Sequence, residues 1–301
     1  MFRHLVSRIE PPRAALETFW QTRPVLRPFR QVDVFTAEPY LGNALAVVHE
    51  ATGIDDDAML RFARWTNLSE TTFLLAATTP EADYGVRIFT PVSELPFAGH
   101  PTLGSCHAWL EAGGRPRDPA LIVQECPAGL IRVRRSDDGD LAFAEPPLLR
   151  SGPVDDATID HVADVLRLPR AAIVEAQWVD NGPGWVAVLL SSAAEVLAIE
   201  PGFVDLDLGV VGPYPAASDA AFEVRAFFPL NGATVEDPVT GSLNASLAGW
   251  LIRSGRASAP WTALQGTALG RAGRVRISQG EDGTIWTGGS VVTCIRGEVE
   301  I

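Results

Sequence analysis

Arg87-Ile88-Phe89-Thr90-Pro91, followed by Glu94-Leu95-Pro96-Phe97-Ala98-Gly99-His100 and a helical run to Trp109-Leu110, is written a second time about 141 residues later. The second copy is Arg225-Ala226-Phe227-Phe228-Pro229, then Glu236-Asp237-Pro238-Val239-Thr240-Gly241-Ser242, then a helical run to Trp250-Leu251. Both reduce to R-x-F-x-P, E-x-P-x-x-G and W-L. Leu45-Ala46-Val47-Val48 answers Val186-Ala187-Val188-Leu189 at the same offset, and three matches in register are hard to ascribe to chance. The period is far too long for a solenoid, so the sequence reads as a duplicated domain with two similar lobes.

Working outward from the repeat, short β-branched or alternating runs predict strands at Gln31 to Phe35, Tyr84 to Phe89, Leu121 to Gln124, Leu130 to Arg134 and Leu141 to Ala144. Helical patterns are few, at Asp55 to Trp65, Pro101 to Ala112, Ile159 to Leu166 and Ser242 to Ser254. The expected class is α+β with twisted, mostly antiparallel strands. Glu145-Pro146-Pro147 and the polar stretch to Asp156 read as a linker. Residues 1–28, with Pro11, Pro12, Pro24 and Pro28, read as an N-terminal extension, 29–147 as the first lobe and 148–287 as the second. A last strand, Ser290 to Ile295 after a Gly288-Gly289 turn, is expected to cross back, so that 288–301 completes the first lobe.

The length of 301 residues suits two lobes that each support a core. Hydrophobic residues at 47% and charged residues at 20% are ordinary globular composition. A net charge of −13 argues against a nucleic-acid partner, which needs a basic patch to release counterions, and favours a small substrate. Cys106, Cys126 and Cys294 form neither a CxxC pair nor a zinc spacing, as expected of a reduced cytoplasmic protein. No apolar run approaches a membrane span, and Arg3, His4, Arg8, Glu10 and Arg13 interrupt any signal-peptide core.

In both copies the glycine stands directly before a helix: Gly99-His100-Pro101, with proline at a favourable first position, and Gly241-Ser242, with serine as a good N-cap. Such an N-terminus presents unpaired N–H groups and a partial positive charge, worth about 0.3 to 1 kcal/mol to an exposed anion. Facing lobes would aim both ends at one anionic ligand, although a tight strand-to-helix turn that binds nothing explains either junction alone. The copies differ in polar content, and the differences locate the reactive groups: Asp237 replaces Leu95, and His100 is answered by Ser242. Read singly, Asp237 could cap a turn and His100 could bond a backbone carbonyl. Glu70, in Asn67-Leu68-Ser69-Glu70-Thr71-Thr72-Phe73-Leu74, follows a helix and enters an apolar strand. Partial desolvation there would raise its pKa toward the range of a general acid or base, and a solvent-facing turn glutamate is the plainer alternative.

These residues resemble the phenazine-biosynthesis isomerase (PhzF-like) family of the diaminopimelate-epimerase-like superfamily. The resemblance runs from about Gln31 to the C-terminus. Its blocks are Asp33-Val34-Phe35 with Gly42-Asn43, Asn67 to Phe73, Phe97-Ala98-Gly99-His100-Pro101-Thr102, and Glu236 to Ser242. It implies two pseudo-symmetric lobes, each a strongly curved, mostly antiparallel sheet around a central helix, with the active site between them. It also implies Glu70 as the catalytic acid/base, Asp237 and His100 as its catalytic companions, and Gly99, Gly241 and Ser242 as substrate-binding residues. Where epimerase relatives carry a cysteine pair, this chain has Gly99 and Asp237, so a two-cysteine racemase mechanism is not expected. Ala44, Leu243-Asn244 and residues 1–28 depart from the family pattern without removing any of these groups.

The expected activity is that of an isomerase that shifts a proton on a small carboxylate-bearing unsaturated or cyclic substrate, using neither cofactor nor metal. A homodimer is expected by analogy. The alternatives are a non-catalytic protein that binds or senses a small carboxylate, and an epimerase or racemase of an amino-acid derivative.

Overall fold

The computed structural model describes residues 25–301; residues 1–24, which hold most of the expected N-terminal extension, lie outside the described residues. The chain forms one large mixed sheet with few helices. Its first half contributes β1 (Leu26–Val34), β2 (Asn43–Val48), β3 (Glu70–Leu75), β4 (Tyr84–Phe89), the short β5 (Glu94–Leu95), β6 (Leu121–Cys126), β7 (Gly129–Arg135) and β8 (Leu141–Ala144). There follow β9 (Arg150–Pro153), β10 (Glu175–Asp180), β11 (Val186–Leu189), β12 (Leu208–Pro213), β13 (Phe222–Leu230), β14 (Ala233–Asp237), β15 (Trp261–Gln265), β16 (Gly273–Gln279), β17 (Ile285–Gly289) and β18 (Val291–Glu300). Pairs are antiparallel except β2 with β3, β4 with β6, β11 with β12 and β13 with β15.

One run of pairings occurs twice. β1–β2, β2–β3, β3–β4, β4–β6, β6–β7 and β7–β8 recur, in the same senses, as β10–β11, β11–β12, β12–β13, β13–β15, β15–β16 and β16–β17. The ladder between β8 and β17 joins the two runs. β18 adds to β1 in one run as β9 adds to β10 in the other.

The helices are α1 (Asp56–Thr66), α2 (Gly99–Glu111), α3 (Asp156–Leu166), the short α4 (Ala193–Leu197) and α5 (Gly241–Arg253). α1 and α3 bury only one stripe each, and Asp55 and Asp155 cap them by accepting from Ala58 N and Thr158 N. α2 and α5 are buried over most of their surface, as their small and apolar residues allow, and make the centre around which the strands wrap. Gly104 shows how closely: a Cβ there would lie 2.5 Å from a Leu45 methyl. The largest core cluster takes side chains from both halves, while smaller ones lie under α1 and under α3 and α4.

Three local expectations are corrected. β1 starts at Leu26, five residues before Gln31 and inside the segment assigned to the extension, because its N-terminal part pairs with the end of β18 from Leu26↔Glu300 onward. Gly288-Gly289 is the end of β17 and not a turn; a Cβ on Gly288 would fall 2.1 Å from the Leu141 carbonyl, so glycine is required for β8 to approach. Both central helices start earlier than expected, as described below. Among the described residues no helix is long and apolar enough to cross a membrane, and all three cysteines are free thiols.

Candidate active site

Glu70 is placed by the end of α1. Asn67 takes the left-handed conformation there, its N–H bonding back to Ala63 O, and three residues later the chain enters β3 beside Leu45 of β2. The Glu70 side chain is 15% exposed and its Oε2 lies 3.3 Å from Nε2 of His100, which is 5% exposed in the first turn of α2. Among the described residues neither atom has a hydrogen-bond partner.

On the other side stands Asp237, the last residue of β14. Asn43, the first residue of β2, donates from Nδ2 to Asp237 Oδ1 and to the Val239 carbonyl, both at 3.0 Å, and the same nitrogen lies 3.4 Å from His100 Nδ1. Thr240 Oγ1 donates to Asp237 Oδ2 at 2.6 Å. The sequence alone assigns neither Asn43 nor Thr240 a role; the Gly42-Asn43 block is the signal for the first.

The N-termini of α2 and α5 meet through their glycines. A Cβ built on Gly99 would come within 3.0 Å of the Gly241 Cα, and one on Gly241 within 3.0 Å of the Gly99 Cα and the His100 nitrogen. α2 begins at Gly99, which puts Pro101 at its third position, still in the first turn where a missing N–H costs no helical bond. α5 begins at Gly241 with Thr240 as N-cap, not Ser242, and the Thr240 hydroxyl goes to Asp237 instead of capping. No side chain caps either helix, whereas Asp55, Asp155 and Ser192 cap the other three. Ser242 is held from its own half: Trp185 Nε1 donates to its Oγ at 3.1 Å and Asn181 Nδ2 to its carbonyl at 3.0 Å.

Burial and charge set the protonation order. Glu70 is pushed up to about 8, first by burial and then by the negative charge of Asp237. Asp237 rises to about 6 through burial, opposed by the Thr240 and Asn43 hydrogen bonds and aided by Glu236. His100 falls to about 3 through burial, so its contact with Glu70 joins a neutral imidazole to a carboxyl group and is not an ion pair. Burial thus raises both carboxyl groups, and Glu70, which feels the charge of Asp237 and lacks its hydrogen bonds, is raised further.

All six residues singled out from the sequence therefore lie around one point, where α2 and α5 meet. Two surface hollows sit beside the opposite ends of these helices, near Trp250 and Arg253 and near Leu110 and Glu111, and neither includes Glu70, His100 or Asp237.

Comparison with known proteins gives a consistent picture. The sequence profile of the family described as "Phenazine biosynthesis-like protein" matches residues 32–297. The "Antisense-enhancing sequence 1" protein of Schizosaccharomyces pombe is 35% identical over 292 residues, covering 90% of this chain and 97% of its own. The trans-2,3-dihydro-3-hydroxyanthranilate isomerase of Pseudomonas aeruginosa is 32% identical, covering 81% of this chain and 87% of its own. Among solved structures, a Bacillus anthracis phenazine biosynthesis protein of the PhzF family superposes with a TM-score of 0.77 at 21% identity, over 92% of this chain and 100% of its own, a likeness of fold.

Proposed function

The chain belongs to the phenazine biosynthesis-like family and is an isomerase of that family, and from that premise we propose that it moves a proton within a small carboxylate-bearing unsaturated or cyclic substrate, with Glu70 as the acid/base. The observation that carries this reading is Glu70 itself: a buried carboxyl group with an oxygen that bonds to nothing, raised toward neutrality and facing two uncapped helix ends. A carboxylic acid is not left unpartnered in a protein interior without cost, and a proton-transfer site is where such a cost is met by function.

Glu70 takes a proton from a carbon made acidic by neighbouring unsaturation and returns it elsewhere on the same molecule. The N–H groups at Gly99, Gly241 and Ser242 hold the substrate carboxylate and any enolate-like charge, since the helix ends present donors and a positive potential. His100 is fixed in one tautomer. Asn43 Nδ2 spends its hydrogens on Asp237 and Val239, so His100 Nδ1 has no acceptor to bond and stays bare, leaving the hydrogen on Nε2, on the side of Glu70. His100 thereby turns an N–H toward Glu70 Oε2 and orients the carboxyl group, and Asp237 orients the substrate. The reaction as read calls on no cofactor or metal.

The repeated run of pairings supports two pseudo-symmetric lobes, 29–147 with 288–301 and 148–287, with the site where they meet. The three free cysteines fit a reduced, cytoplasmic enzyme, and a homodimer follows from the family analogy. The cyclic amino acid named for the Pseudomonas relative is one member of the substrate class. A purely carboxylate-binding protein is the weaker reading, because the helix ends suffice for binding and an added buried carboxyl group opposes it.

The test is proton exchange in D₂O followed by NMR over a panel of small carboxylates with acidified C–H bonds. Deuterium uptake that depends on Glu70 is expected; binding without uptake across the panel would overturn the reading.

A further inference from the structure

Gln265, the last residue of β15, is fully buried, and its side chain makes four hydrogen bonds. Its Oε1 accepts from Thr240 N at 3.0 Å and from Asn244 Nδ2 at 2.7 Å, while its Nε2 donates to Thr240 Oγ1 at 2.9 Å and to the Asp237 carbonyl at 3.2 Å. The amide cannot be turned over. A main-chain N–H can only donate and a main-chain carbonyl can only accept, so Thr240 N fixes the oxygen and Asp237 O fixes the nitrogen.

This has a consequence one bond further on. Thr240 Oγ1 already receives a hydrogen from Gln265, so its own hydrogen goes to Asp237 Oδ2, 2.6 Å away. Asp237 Oδ1 faces Asn43 Nδ2, whose direction the Val239 carbonyl fixes in the same way. Both oxygens of Asp237 therefore meet donors oriented by the main chain. Protonating Oδ2 would turn two hydrogens toward each other and strand the Thr240 hydroxyl, a cost of the kind an unsatisfied buried donor carries.

From this wiring we infer that Gln265 is a positioning residue which, through Thr240, locks Asp237 as a carboxylate and so confines the mobile proton of the site to Glu70. The inference rests on the reading of the site as one of proton transfer. The other titratable and charged groups around Asp237 act on the same balance. Glu236 on β14 opposes its ionisation, Arg225 on β13 neutralises Glu236, Glu70 on β3 carries no charge while it holds the proton, and His100 on α2 is uncharged. The first half carries the same device without the carboxylate. Gln124 on β6, also fully buried, donates from Nε2 to Thr102 Oγ1 at 3.0 Å, and its Oε1 accepts from Tyr84 Oη at 3.0 Å. A glutamine that only braces a helix end is thus present in one half for comparison with one that also aims a hydroxyl at an acid.

The experiment is a carboxyl carbon-13 NMR titration of the intact protein without substrate, with Asp237 and Glu70 assigned from the Asp237→Asn and Glu70→Gln spectra. In the wild type Asp237 ionises at lower pH than Glu70; the reverse order overturns the proposal. In Gln265→Met the Asp237 midpoint rises by about one pH unit, a tenfold change in its protonation equilibrium, and kcat below neutrality falls while KM stays within about twofold. Thr240→Val, which keeps the glutamine, gives the same rise and carries the test if Gln265→Met does not fold. A folded variant with an unmoved Asp237 midpoint refutes the positioning role and leaves a merely structural one. Because the titration needs no substrate, its failure and the failure of the D₂O exchange test are separate results.

Discussion

Glu70 Oε2 and His100 Nε2 lie 3.3 Å apart across the join between β3 and α2, and among the described residues neither atom bonds to anything else. Two polar groups left free beside each other in a buried place are poised for a third. Glu70→Gln keeps the shape and removes the titration, so turnover should fall by about 10²–10⁴-fold, the range that general acid–base catalysis contributes. Ligand affinity, measured by calorimetry, should stay within a few-fold, because the helix ends proposed to hold the carboxylate are untouched. Full activity in this variant would sink the proposed role.

In the proposed reaction Glu70 acts first as a base and must lose its proton to do so. With its pKa near 8, kcat/KM of the wild type should climb through neutrality and level off only above about 8. A flat profile between pH 6 and 9 would contradict this assignment.

The same shift bears on stability. An acid whose folded-state pKa is raised keeps its proton in the folded chain after the unfolded chain has lost it, so between the ordinary value of 4.5 and about 8 the folded state binds more protons. Stability therefore falls as pH rises through that window. Glu70→Gln escapes this loss, and its melting temperature should exceed that of the wild type by a margin that widens from pH 5 to pH 8 and vanishes below 4.5. Equal pH dependence of the two melting curves would show that Glu70 ionises normally.

Gly99→Ala and Gly241→Ala each place a methyl group 3.0 Å from the backbone of the opposite helix, and the first also 2.8 Å from the Phe143 ring. Overpacking of this kind costs typically about 1–3 kcal/mol, and carboxylate affinity should drop with it because the two N-termini are pushed apart. Since both methyl groups open the same contact, denaturant titration of the double variant should show less than the sum of the single losses.

Arg225 forms a bidentate ion pair with Glu236, side-chain exposures 6% and 11%, and also donates to the Val196 and Ile199 carbonyls. Its counterpart Arg87 holds Glu94 in the same way but is more exposed, 23% and 30%, and shares itself with Asp56. Arg225→Met should thus cost about 3–5 kcal/mol by stranding a buried carboxylate. Arg87→Met, in the same urea titration, should cost markedly less.

The Arg87 and Glu94 pair shows how far the sequence could be read. The repeat of R-x-F-x-P and E-x-P-x-x-G was plain in the chain, but that its arginine and glutamate clasp each other across β4–β5 and β13–β14 depends on strand pairings that no spacing reveals. The four longer helices were legible to within a few residues, because periodicity and capping residues are local, while the five-residue α4 is too short to show a period. Their starts were missed at Gly99 and Gly241, where the sequence favoured Pro101 and Ser242 and tertiary contact decided otherwise. The polar island around Glu70 was legible as well. Asn43 was harder, because its importance lies in contacts to Asp237 and Val239, nearly two hundred residues away in the chain. The parallel ladders β2–β3 and β11–β12 were hidden too, since parallel or antiparallel sense is set by the crossover and not by the strand's own residues.

The ladder between β1 and β18 reaches beyond the folded state. β1 pairs with residues 291–300, which are synthesised long after it, so the sheet edge it exposes stays open until they emerge. Closing such a distant contact is entropically slow, and an open edge in a waiting chain invites pairing with other chains. The second run meets no such delay, since β9 precedes β10 and can pair as soon as both have emerged. Assembly on the ribosome should therefore begin in the later strands, with β1 finding its partner only once β18 has emerged.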